Sequence, residues 1–106
     1  MTPIDISPAE AAALVGRGAV LVDVRETSER ADGIIPGATH APLSELDLAE
    51  LAGELDQPVI FHCRAGGRTR ANAAALEAKA GTRQTYLLQG GIEGWRDAGL
   101  PIEQPN

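Results

Sequence analysis

Pro58-Val59-Ile60-Phe61-His62-Cys63-Arg64-Ala65-Gly66-Gly67-Arg68-Thr69-Arg70-Ala71-Asn72-Ala73-Ala74-Ala75-Leu76 reads, in order, as a strand, a tight loop and a helix. The apolar run into His62 suits a strand covered on both faces. Gly66 and Gly67 allow positive φ, so the chain can turn at once. The alanine-rich run from Thr69 favours a helix. The chain's single cysteine ends the strand, and the carboxyl ends of strands are where open α/β sheets place ligands.

Outward from this stretch, short apolar runs alternate with helical patterns, which predicts an α/β domain with a mainly parallel sheet. Ile4-Asp5-Ile6 and the run from Ala19 to Val24 read as strands. Between them, Ser7-Pro8-Ala9-Glu10 has the form of a capping box with proline at the first helical position, the helix ending near Gly16 to Gly18. A short helix is predicted over residues 27–31, stopped by Gly33. A turn follows at 35–38 and a brief strand at 39–41. Leucines at 43, 46, 48, 51 and 55 lie close to helical spacing, which predicts a helix over 43–55. The helix from about Thr69 should end at Gly81, with a last strand over 84–88 and a last helix over 92–98 after Gly90-Gly91. The tail from Pro101 is expected to fray.

The 106 residues suit one domain spanning 1–106, and 43% hydrophobic with 23% charged residues is an ordinary globular mix. No apolar stretch approaches the roughly 20 residues of a membrane helix. No basic-then-hydrophobic leader opens the chain, and one cysteine cannot form an internal disulfide, so a cytoplasmic location is expected. A net charge of −6 argues against nucleic acid as a partner. From Gln57 to Leu76 there is no Asp or Glu, while Arg64, Arg68 and Arg70 cluster, making a local basic island that attracts small anions.

Cys63 is the one plausible nucleophile. Inward-facing N–H groups of a glycine loop and a following helix N-terminus both favour thiolate over thiol. Arg64 and Arg68 can clamp an anion presented to the sulfur. His40, His62 and one cysteine are too few for a zinc site. His62 should face away from Cys63, because strand neighbours alternate, and act in packing or at the surface rather than as a base. Asp23 and Arg25, two apart, should form an ion pair bracing the sheet edge, with Phe61 and Trp95 in the core. Cysteine-dependent protein phosphatases also carry His-Cys before a basic loop. Their arginine stands where Thr69 stands here, however, and Arg68 comes one residue early, leaving a cradle better sized for one sulfur atom than for phosphate.

Four ordered stretches resemble the single-domain rhodanese sulfurtransferases. They are the Asp23-x-Arg25 strand end, Gly33-Ile34-Ile35-Pro36-Gly37-Ala38, the Cys63–Thr69 loop, and Leu88-x-Gly90-Gly91-Ile92-x-x-Trp95. Ile34 departs from the family's usual histidine, for which altered local packing is expected. The resemblance implies a rhodanese-like three-layer α/β/α fold with a mainly parallel five-stranded sheet and no metal or organic cofactor. It implies that Cys63 attacks the outer sulfur of thiosulfate or a similar anionic donor and passes it, as a persulfide, to cyanide or a thiol. That thiol could belong to a thioredoxin-like protein. Arg64, Ala65, Gly66, Gly67 and Arg68 would bind the substrate, with Asp23, Arg25 and Thr69 in support. The competing readings are a persulfide carrier between proteins, an arsenate reductase or phosphatase, and a non-catalytic binding module.

Overall fold

The strand that leads into Cys63 is the centre of the molecule. In the computed structural model, which describes residues 3–105, Val59–His62 (β4) is buried along its whole length. The other strands are Ile4–Ile6 (β1), Val20–Asp23 (β2), Thr39–His40 (β3) and Thr85–Leu88 (β5). They form one sheet in the order β1-β5-β4-β2-β3, and every strand pair is parallel.

Parallel pairing requires crossovers, and these place helices on both faces. Val59, Phe61 and Cys63 point with Val22, Val24 and Leu87 into one core, covered by Leu76 and Ala80 of the helix Ala73–Ala80 (α3; α2 is Gly67–Ala71). Leu21, Ile60 and Leu88 point the other way. They pack on Ala11 of the helix Pro8–Gly16 (α1) and on Ile92 and Trp95 of Gly91–Asp97 (α4). Strict alternation along β4 thus divides two cores between two faces, giving the three-layer α/β/α architecture. Each buried Val, Leu, Ile and Phe among them contributes about 1.5–3 kcal/mol through burial.

The capping box forms as the sequence predicts. Glu10 N–H donates to Ser7 Oγ at 3.2 Å, and Ser7 N–H to Glu10 Oε1 at 3.1 Å. The segment 27–31 is a 3₁₀ turn over Thr27–Asp32 rather than an α-helix. Three other expectations need correction. The leucine spacing over 43–55 yields only a 3₁₀ turn, Leu43–Leu48, interrupted at Glu45 (φ −125°). Leu46 is buried while Leu48 and Leu55 are 84% and 74% exposed. Instead of helical bonds, Ala52 and Gly53 carbonyls accept from the Arg83 guanidinium at 2.7 and 3.1 Å. The helix after the loop begins at Gly67 and breaks at Asn72, whose side-chain amide donates to the Arg68 carbonyl at 2.8 Å.

From Pro101 to Glu103 the tail is anchored rather than frayed. Ile34 and Glu103 exchange two backbone bonds of 2.7 and 2.9 Å, and Trp95 Nε1–H donates to the Pro101 carbonyl at 2.7 Å. Ile34 therefore has both backbone groups satisfied by the tail, and Ile102 packs on the second core. Among the described residues no helix is long and apolar enough to cross a membrane.

Candidate active site

The loop after β4 is shaped by a neighbour from the far end of the chain. Ile92 N–H donates to the Cys63 carbonyl at 2.9 Å, and Glu93 N–H to the Arg64 carbonyl at 3.0 Å. A trans peptide sets C=O and N–H on opposite sides, so these bonds turn the N–H groups of Arg64 and Ala65 away from α4. The approach needs Gly91 (φ 59°): a Cβ there would stand 2.5 Å from both the Cys63 and Arg64 carbonyl oxygens. Gly66 (φ 98°) then reverses the chain into α2.

That reversal brings Gly66 N–H to 3.1 Å from Cys63 Sγ, to which it donates. Thr69 Oγ1 lies 3.9 Å from the sulfur and also reaches the Gly66 carbonyl, 3.1 Å away. Cys63 is a free, buried cysteine. Burial pushes its thiol up, yet the net shift is downward. The N–H groups of Thr69, Gly66 and Arg68, with the Thr69 hydroxyl, stabilise the thiolate by more than burial penalises it. Thr69, ranked from sequence as support, is thus a direct neighbour of the sulfur.

On the opposite face of the sheet lies the brace expected from Asp23 and Arg25. The guanidinium donates to Asp23 through Nη2 (2.9 Å) and Nε (3.1 Å), and also to the carbonyls of Gly33 (2.8 Å) and Glu29 (3.2 Å). Burial raises the Asp23 pKa, but the hydrogen bonds and charge of Arg25 bring it below the ordinary value. His62 faces this pair, away from Cys63, and is fully buried rather than at the surface. A carbonyl can only accept, so His62 Nδ1 carries the proton it donates to Cys63 O at 3.0 Å. Burial lowers its pKa and favours the neutral ring.

The two arginines of the loop do not stand free. Arg68 makes a two-pronged bond to Glu29, Nη1 to Oε1 at 2.6 Å and Nη2 to Oε2 at 2.7 Å. Arg64 Nε–H donates to Glu93 Oε2 at 3.0 Å. The basic island of the sequence is therefore matched by carboxylates from elsewhere in the chain, Glu29 and Glu93 in hydrogen bonds and Asp5 3.9 Å from Arg70, and sequence reading missed all three. An open cleft of about 460 Å³ is lined by Cys63, Glu29, Arg64, Ala65, Gly67 and Arg68. The structure thus gathers Cys63 and its loop around one opening, with Asp23 and Arg25 beneath as scaffold. Among the described residues no group of His, Cys, Asp and Glu is arranged to hold a metal ion.

A buried cysteine with a lowered pKa, held in a backbone cradle at the end of a central parallel strand, suggests a class, and comparison with known proteins identifies it. The Rhodanese-like domain family matches residues 7–98, and the chain belongs to that family. It is similar to the thiosulfate sulfurtransferase GlpE of Pseudomonas fluorescens (strain SBW25), 40% identical over 93 residues, 86% of this chain and 83% of that protein. The GlpE of Haemophilus influenzae (strain Rd) is 35% identical over 100 residues, 93% of each chain. Among solved structures, a rhodanese-related protein from Thermoplasma volcanium superposes with a TM-score of 0.77 at 25% identity, covering 94% of this chain and 97% of that one. The protein is a sulfurtransferase.

Proposed function

We propose that the protein moves sulfane sulfur from thiosulfate, or a similar anionic donor, through a Cys63 persulfide to cyanide or a thiol. The observation that carries this reading is the Cys63 sulfur held at 3.1 Å from Gly66 N–H with its pKa drawn down. The thiolate attacks the outer sulfur of thiosulfate. The S–S bond of the donor breaks, sulfite leaves with the bonding pair, and a Cys63 persulfide forms. The acceptor then attacks the terminal sulfur and regenerates the thiolate, splitting one transfer into two displacements. Neither displacement calls for a metal or organic cofactor.

In this reading Arg64, Ala65, Gly66, Gly67 and Arg68 are the binding residues. Their N–H groups surround the transferred sulfur as an oxyanion hole surrounds oxygen, and the two guanidiniums receive the donor's anionic end. Thr69 supports the thiolate, and Asp23 with Arg25 holds the neighbouring strand end. The site is open enough to admit a protein thiol, such as that of a thioredoxin-like partner, as acceptor. A thiolate kept free for this cycle fits a reducing compartment, and we place the protein in the cytoplasm.

Intact-mass measurement after incubation with thiosulfate tests the proposal. The wild type should gain one sulfur atom and release it on addition of cyanide, with thiocyanate formed in equal amount. Cys63→Ala should gain none. Addition of the same sulfur to Cys63→Ala would show that the label sits elsewhere and defeat the reading.

A further inference from the structure

Glu29 is held from two sides. Its Oε1 accepts from Glu26 N–H at 3.0 Å, which ties the carboxylate to the start of its own 3₁₀ turn. The same carboxylate accepts both prongs of Arg68 at 2.6 and 2.7 Å. It also lines the Cys63 cleft and the adjoining one that runs towards Asp32, Arg64 and Arg96. A negative charge thus stands at the mouth of a site whose proposed donor is itself negative. The Arg68 hydrogen bonds hold its carboxyl down at about 2, so it stays charged through any ordinary assay. An arriving anion meets Arg68 with its charge already answered, and Glu29 is too firmly held to swing aside at no cost.

We propose that Glu29 is a specificity-determining residue: its carboxylate, fixed on the Arg68 fork inside the Cys63 cleft, weakens the capture of dianionic sulfur donors relative to monoanionic ones. The inference rests on the sulfurtransferase reading above and deepens it by assigning the donor preference to one side chain. The simpler alternative is that Glu29 only positions Arg68. The two differ in sign, because removing a repelling charge improves donor capture while removing a prop worsens it. They differ again in charge dependence. Coulomb repulsion scales with donor charge, so a gain of about tenfold for a dianion should be roughly threefold for a monoanion.

The experiment compares kcat/KM for thiosulfate and for methanethiosulfonate, with cyanide as acceptor and thiocyanate as readout. Both donors give the same Cys63 persulfide. Thiosulfate releases sulfite, and methanethiosulfonate releases methanesulfinate, each leaving with the electron pair of the broken S–S bond. In Glu29→Gln, thiosulfate should improve by about tenfold and methanethiosulfonate by roughly threefold, carried by KM, with the difference shrinking as salt screens it. Glu29→Asp keeps the charge and should keep the wild-type ratio of the two donors. Should Glu29→Gln fail to fold, Glu29→Ala reads the same ratio.

An equal change for both donors, a loss for both, or an equal shift in Glu29→Asp overturns the role assigned to Glu29 and leaves the sulfurtransferase reading standing. Absence of transfer from either donor in the wild type removes that donor chemistry, and the inference with it.

Discussion

The floor and the rim of the Cys63 site are built on opposite terms. The floor is backbone: Gly66 N–H on the sulfur, and the Cys63 and Arg64 carbonyls fastened to the first turn of α4. It is buried, and its geometry is set by glycines that no other residue replaces without strain. The rim is side chain. Arg64 and Glu93 are 68% and 46% exposed, and Arg68 and Glu29 are half-buried. Hydrogen bonds fixed by the backbone need no reorganisation when charge develops on sulfur, whereas exposed ion pairs are worth little to the fold. On the proposed reading the contrast divides the tasks: the floor stabilises the thiolate, and the rim chooses what reaches it.

The sharpest way to break the contrast is to push floor and α4 apart. Gly91→Ala places a methyl 2.5 Å from two carbonyl oxygens and forces an L-residue into φ 59°. Overpacking and the left-handed backbone together should cost about 3–4 kcal/mol, visible in a urea titration. Persulfide formation should fall by about 100-fold even where the protein remains folded, because the cradle shifts by a fraction of an ångström or more. Wild-type persulfidation in a folded Gly91→Ala protein would show that α4 does not set the loop.

A milder change tests what the floor does for the sulfur. Thr69→Val removes the hydroxyl and keeps the N–H groups of Thr69 and Gly66, which are the larger stabilisers of the thiolate. The Cys63 pKa should rise, because one stabiliser of the thiolate is gone. The reactive form is the thiolate, so activity climbs as pH rises through this pKa, and the variant's climb should begin at higher pH. Below both pKa values the rate of persulfidation should drop about threefold or more, and well above both the two proteins should converge. A loss that is the same at every pH would mean that Thr69 acts on the loop's shape instead.

The floor was largely legible in the sequence and the rim was not. Strand, loop, glycines and cysteine are neighbours in the chain, so local rules place Cys63 and the turn at Gly66 correctly. Asp23 and Arg25 lie two residues apart, within reach of strand alternation, and their ion pair forms as read. Glu29 is separated from Arg68 by 39 residues and Glu93 from Arg64 by 29, and no local rule pairs them. The stretch from Gln57 to Leu76 looked basic only because its carboxylates come from other elements. The same limit explains Gly90-Gly91, read as a helix start without the close approach to Cys63 that requires Gly91. It also explains the tail, whose partner Ile34 lies far upstream. The leucines over 43–55 misled differently. Their spacing records which residues the core takes, but Gly53 (φ 86°) and the kink at Glu45 let a loop present Leu46 and Leu51 without a helix.

The smallest expected effect comes from the rim, and it decides whether the division of labour is right. Arg64 bonds Glu93 at 3.0 Å, yet both side chains are well exposed, and solvent competes for each. Arg64→Ala should leave the melting temperature within about one degree of wild type, since exposed pairs of this kind contribute almost nothing to folding. The backbone N–H at position 64 survives the change, so the cradle and the Cys63 pKa should be untouched. What is lost is one positive charge near the incoming donor, while Glu93 remains. The KM for thiosulfate should therefore rise about threefold, and raising the salt should erase part of the difference. A drop in melting temperature comparable to that of Gly91→Ala would make the rim part of the fold. A KM that rises without any salt dependence would mean that Arg64 meets the donor by direct hydrogen bonding rather than through its field.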